Sequence, residues 1–221
     1  MSRIDFSNST ALSSDRLAEM IRLGTDGWAV GQVIVRVRYS RSADFSGACH
    51  YADQRILINL GRHVRYPYKM NTHLARTRTV GRRWYRPLYV IELTSAYDLA
   101  AFIFMHELYH LLVKRAGRNV RQKEGRCDRF AAGFMVDTFG TRVLSEKGVP
   151  LLRSEWDFQD VEGFVAAARD ARVGRLPEKA VPIVRKASLP RVRKPVVNQP
   201  AAPMLGRQET RLAEQLLLFA M

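Results

Sequence analysis

Phe102-Ile-Phe-Met-His106-Glu107-Leu-Tyr-His110-Leu-Leu-Val113 is the stretch on which the reading of the chain turns. Apolar residues flank a polar triple, His106, Glu107 and His110, whose two histidines stand four residues apart. On a helix that spacing puts both imidazoles on one face, one turn apart, where they can share a metal ion. Glu107 follows about 100° around the helix, placed to reach a metal-activated water rather than the metal itself. The sequence predicts a helix from Tyr97 or Asp98 to about Arg115. Ser95 or Asp98 can cap its start, Lys114 and Arg115 suit its negative end, and Gly117 breaks it.

A second helical pattern runs from about Val120 to Phe139, with Phe130, Phe134, Met135 and Phe139 as apolar contacts and Gly140 as a stop. Two histidines hold zinc weakly, whereas a catalytic site carries three protein ligands and an open position. Folding the two helices antiparallel about Gly117 supplies a candidate third. His110 lies seven residues before the glycine and Glu124 seven after it; His106 lies eleven before and Asp128 eleven after. Glu124 is thus expected opposite His110 as a carboxylate ligand. Asp128 is expected opposite His106, accepting a hydrogen bond from the ring nitrogen that faces away from the metal. Glu107 is the expected general base, taking a proton from the water that attacks a peptide carbonyl.

His106-Glu107-Leu-Tyr-His110 followed by Glu124-x-x-Cys127-Asp128 resembles the gluzincin branch of the zincin metallopeptidases. The continuation Cys127-Asp-Arg-Phe-Ala-Ala-Gly-Phe-Met135 is similar to the matching helix of ImmA/IrrE-like and minigluzincin-like peptidases. The resemblance covers roughly residues 88 to 139. It implies an α+β zincin-like domain, with a small mixed sheet packed on the active-site helix and a second helix bearing a ligand. It also implies Zn2+ as cofactor, a protein or peptide substrate, and a strand at Leu88 to Leu93 whose free edge pairs with extended substrate. The chain departs from the family in its short interval between His110 and Glu124, its basic insertion and its tail.

Outward from this centre, Ser13 to Leu23 reads as an amphipathic helix with Leu17, Met20 and Ile21 inward and Gly24 as its stop. Val33 to Tyr39 alternates apolar and basic residues, a half-buried strand with Arg36 and Arg38 on its solvent face. Ser40 to Gly47 reads as polar turns, Ile56 to Leu60 and Leu88 to Leu93 as short strands, and Asp157 to Ala171 as a third helix. The expected division is a metallopeptidase-like domain over 1–176, a basic proline-rich segment over 177–206 holding six of the nine prolines, and a terminal helix over 207–221.

Charge is the other signal. Lys and Arg number 36 against 21 Asp and Glu, a formal net charge of +15. Such a surplus favours polyanions through phosphate neutralisation and counterion release. It concentrates between Arg62 and Arg86, where Arg62, Arg65, Lys69, Arg76, Arg78, Arg82, Arg83 and Arg86 occur without one acid. Tyr66, Tyr68, Trp84 and Tyr85 are interleaved with them. The segment reads as a long exposed loop over the cleft that contacts DNA, RNA or a DNA-binding protein, with a substrate-covering flap and a passive loop as the simpler readings. No apolar run approaches the roughly 20 residues that span a bilayer, and the first residues lack a secretory pattern, so no membrane contact and a cytoplasmic location are expected. Cys49 and Cys127 cannot make a disulfide framework; Cys127 reads as a small packing residue between helices. The rival reading from another class is a non-catalytic, zinc-stabilised nucleic-acid-binding or scaffolding protein. A third is a peptidase whose own C-terminal segment fills its cleft.

Overall fold

Alternation in Val33-Ile-Val-Arg-Val-Arg-Tyr39 gives a strand with one apolar face, and Val33, Val35 and Val37 are buried against Ile56, Ile58 and Leu60 of its neighbour. The computed structural model describes residues 3–121 and 123–166. In order these form β1 (Arg3–Asn8), α1 (Ser14–Thr25), β2 (Gln32–Tyr39), β3 (Phe45–His50), β4 (Arg55–Leu60), β5 (Tyr68–Thr72) and β6 (Arg78–Val80). There follow β7 (Arg83–Tyr85), β8 (Tyr89–Leu93), α2 (Ala96–Arg115), α3 (Glu124–Phe139), β9 (Arg142–Ser145) and α4 (Arg153–Trp156). The described residues are therefore α+β. The basic proline-rich segment, the terminal helix and the end of the expected third helix lie outside them.

Strands pair in the order β1-β2-β4-β3 in one sheet and β5-β8-β9 in a second, with β6 and β7 as a separate ribbon. In the first sheet β1, β2 and β4 are parallel, and β3 returns antiparallel along β4. On its outer face Arg36 pairs with Asp5 and Arg38 donates to Asn59. Against its inner face lies α2, which touches β3, β4, β8, α1 and α3. Wrapped on so many sides, α2 buries almost every residue from Leu99 to Val113. A helix apolar around most of its circumference belongs in the middle of a core. Ser95 caps it, accepting from the Asp98 amide, and Lys114 and Arg115 occupy its last turn. Gly117 follows at φ 71°, the left-handed conformation that releases the chain toward α3.

Several expectations need correction. The segment from Ser40 to Gly47 is not all turn: β3 begins at Phe45, and as an edge strand it needs no apolar alternation to hold its place. Nor is Arg62 to Arg86 one long loop. Tyr68–Thr72 pairs with β8 and buries Met70 and Thr72, and two short strands form a hairpin around Gly81. The strand at Tyr89–Leu93 offers no free edge, because β5 and β9 occupy both its sides. Gly24 does not stop α1 but lies inside it, where the helix presses on Met105 and Phe104 of α2. The helix expected from Val120 starts at Glu124, since the Asn119 side chain accepts from the Arg121 amide in a turn that competes with helix. The third helix begins after Asp160, whose carboxylate caps the Gly163 amide; residues 161 to 166 are helical. Among the described residues no helix is long and apolar enough to cross a membrane.

Candidate metal centre

α2 and α3 pack side by side, and their contact brings the predicted residues together. The His106 and His110 rings lie 5.0 Å apart between centroids. Glu124, in the first turn of α3, reaches both: its Oε2 is 3.1 Å from His106 Nε2 and its Oε1 is 3.4 Å from His110 Nε2. Tetrahedral coordination with bonds of about 2.0–2.1 Å sets donor atoms roughly 3.3 Å apart. The two contacts run through different carboxylate oxygens, at distances that suit ion pairs as well as neighbouring ligands. One turn along α3, Asp128 Oδ1 meets His106 Nδ1 at 2.8 Å. Its other oxygen accepts from the backbone amide of His73 at 2.6 Å and meets His73 Nδ1 at 3.2 Å.

A second donor set overlaps the first. His106, His110 and Cys127 each offer an atom within 4.8 Å of the others, so this trio can hold a metal ion. Cys127 is wholly buried, and its thiol is pushed far up, first by burial and then by the Glu124 and Asp128 carboxylates. A metal needs the thiolate, which this surrounding disfavours. Glu124 is the more readily charged of the two groups: hydrogen bonding to His106 holds its carboxyl below the ordinary range, and about half its side chain is open to solvent.

Electrostatics divides the roles of the remaining groups. Burial works to discharge His106, but hydrogen bonds and charge from Asp128 and Glu124 outweigh it and hold the metal-free imidazole up at about 10. Burial, and then the neighbouring His106 charge, lower His110 toward the neutral form. Among the described residues His110 Nδ1 is buried without a partner, so no side chain fixes its tautomer as Asp128 fixes that of His106. Asp128, despite its burial, is drawn down to about 2 by His106 and His73. Glu107 is 8% exposed, and burial lifts its carboxyl to about 7. Near neutrality is where a general base exchanges protons most readily.

Sequence reasoning missed the strand that bounds this site. Gly47 of β3 sits directly against Glu107: a Cβ built on it would stand 2.4 Å from Oε1 and 2.8 Å from Ile103 Cγ2. The glycine is required by this close approach, a signal that a glycine among serines in a supposed turn does not carry. It also missed the place of His73 beside Asp128, because His73 lies far from the motif in sequence. The eight basic residues from Arg62 to Arg86 are all exposed, and no described acid forms an ion pair with any of them. Comparison with protein-family models, with curated proteins and with solved structures finds no match.

Proposed function

We propose that this chain is a zinc-dependent metallopeptidase of the gluzincin kind, built on a zincin-like domain. The observation that carries the reading is the convergence of one Glu124 carboxylate on two Nε2 atoms, with a buried, nearly neutral-range carboxyl on the adjacent residue. His106, His110 and Glu124 would hold the ion, and Asp128 would keep His106 in the tautomer that presents Nε2. Zinc, when bound, supplies Lewis acidity that sharpens a water and a peptide carbonyl toward each other. Glu107 accepts the water's proton at a carboxylate oxygen and returns it to the leaving amine nitrogen. Extended substrate adds along β3, one of the two edge strands of its sheet among the described residues, because Gly47 brings that edge against Glu107.

The test is the set of new protein N-termini that appear in cells carrying the chain and vanish with Glu107→Gln. Cuts that persist in that variant would overturn the reading. Gly47→Ala provides a more local check. Its methyl must displace the Glu107 carboxylate, so hydrolysis should fall by roughly 10²-fold, the cost of an ångström-scale misplacement, while zinc content stays unchanged.

A structural metal held by His106, His110 and Cys127 is the second reading, favoured by the position of the thiol beside the two imidazoles. Cys127→Ser separates the two. Zinc content and cleavage should be preserved if Glu124 is the third ligand, and metal should be lost if Cys127 is.

A further inference from the structure

Beside the metal centre, at the N-terminus of α3, lies a cavity of about 290 Å³ whose lining is basic and holds no acid. His73, Arg76, Arg86, Lys123, Arg126 and Arg129 contribute its charge. Arg129 is 6% exposed and spends its donors on neutral acceptors, the carbonyls of Trp156, Gly125 and Leu74 and the Gln159 amide oxygen. Burial first, and then the Arg86 charge, pull it down to about 10 against the opposing pull of Asp128. The Arg76 and Arg129 guanidiniums each lie 4.0 Å from the centre of the Phe158 ring. No described carboxylate forms an ion pair with any of the cavity's arginines or with Lys123; His73 alone is paired, with Asp128.

The helix end makes the imbalance worse. Lys123 occupies the N-cap with no side-chain cap, and Arg126 sits in the first turn, where cations oppose the helix dipole and only Glu124 complements it. An anion seated in the cavity would offset the repulsion among these cations and pair with the helix N-terminus.

The nature of that anion follows from the neighbouring ribbon. Thr77 and Arg86, which line the cavity, are the residues on either side of the β6–β7 hairpin. That hairpin carries Arg78, Arg82 and Arg83 and leaves Trp84 74% and Tyr85 47% exposed. A phosphorylated or acidic peptide would satisfy the charge but leave the aromatic faces without purpose. Exposed aromatics on a basic track match single strands, whose unstacked bases offer flat partners. We propose that the cavity seats a backbone phosphate of single-stranded nucleic acid and that Trp84 stacks on a base of the same strand. The surface adjoins the metal centre through His73 and Asp128, but the proposal does not depend on the peptidase chemistry.

Fluorescence anisotropy with the full chain and labelled 15-mers tests it, using single-stranded DNA, single-stranded RNA, duplex DNA and a phosphoserine peptide as separate arms. Either single strand should bind more tightly than the duplex or the peptide, and binding should weaken steeply with added salt. Trp84→Ala should weaken it about tenfold and Trp84→Phe should restore most of the loss. The double variant Arg76→Ala, Arg86→Ala should reduce the log–log salt slope by roughly 1 for each phosphate contact removed. All three substituted positions are exposed, so unchanged thermal unfolding is expected to accompany these losses. Tighter binding of the duplex or the phosphopeptide would overturn the proposal. So would wild-type affinity in both the Trp84→Ala and the double-arginine variants, which would place the contact on other basic surfaces. The DNA and RNA arms together decide which backbone is preferred.

Discussion

Replacing Glu107 with glutamine is expected to leave zinc in place and to cut peptide hydrolysis by about 10²–10⁴-fold. The amide has almost the shape of the carboxyl but cannot accept a proton from attacking water. Its position argues for a base and not a ligand. The side chain is buried, burial holds it near 7, and Gly47 presses against its oxygen. The Glu124 carboxylate, by contrast, is held low by His106 and faces both histidine Nε2 atoms. Metal analysis and turnover on one preparation check the prediction. Activity that survives the change would remove Glu107 from the mechanism, and zinc lost together with activity would recast it as a ligand.

The second large effect is on the metal. Wild-type protein should carry about one zinc per chain, and His106→Ala or His110→Ala should abolish stoichiometric binding, since two remaining donors hold the ion weakly. The affinity should also depend on pH, with a sign that the site fixes. In the metal-free protein His106 keeps its proton up to about 10. Zinc needs the lone pair on Nε2, so binding expels that proton, and affinity should climb roughly tenfold per pH unit between 6.5 and 9. The stability of the metal-free fold runs the opposite way. A raised histidine contributes fully below the ordinary value of 6.5 and loses its contribution as pH rises through about 10. Asp128, held at about 2, contributes above its ordinary 3.8 and fails only as pH falls through about 2. Calorimetry in two buffers of different ionisation heat counts the protons released. An affinity flat from pH 6 to 8 would contradict the proton-linked site.

How far the sequence reached can be judged residue by residue. The two helices and their pairing were legible because helical periodicity, the break at Gly117 and the spacing of four along both helices are local facts. Counting outward from the break placed Asp128 against His106 and Glu124 against His110, and those contacts are present at 2.8 Å and 3.4 Å. Counting did not show that Glu124 also meets His106, because a long side chain spans a helix turn. The sheets were harder. β1 is polar at four of its six positions and β3 is a run of small residues between Phe45 and His50, so both take their place from pairing partners, which propensity does not encode. β5 was hidden by its basic surroundings, although Met70 alone is apolar enough to bury. That omission misplaced the free edge. With β5 unseen, Leu88 to Leu93 looked like an open border, when it is the middle strand of three, flanked by β5 and β9.

The contact between Gly47 and Glu107 has a bearing on descent. Any descendant that merely folds would be under pressure to keep the apolar flanks of α2, because they are the centre of the core whether or not a metal is bound. A descendant that had abandoned hydrolysis would be free to put a side chain at position 47, where a methyl already collides with the carboxylate. The apolar helix therefore records inheritance of a scaffold. A bare position on the neighbouring edge strand is what the proposed chemistry would require of any descendant that keeps it.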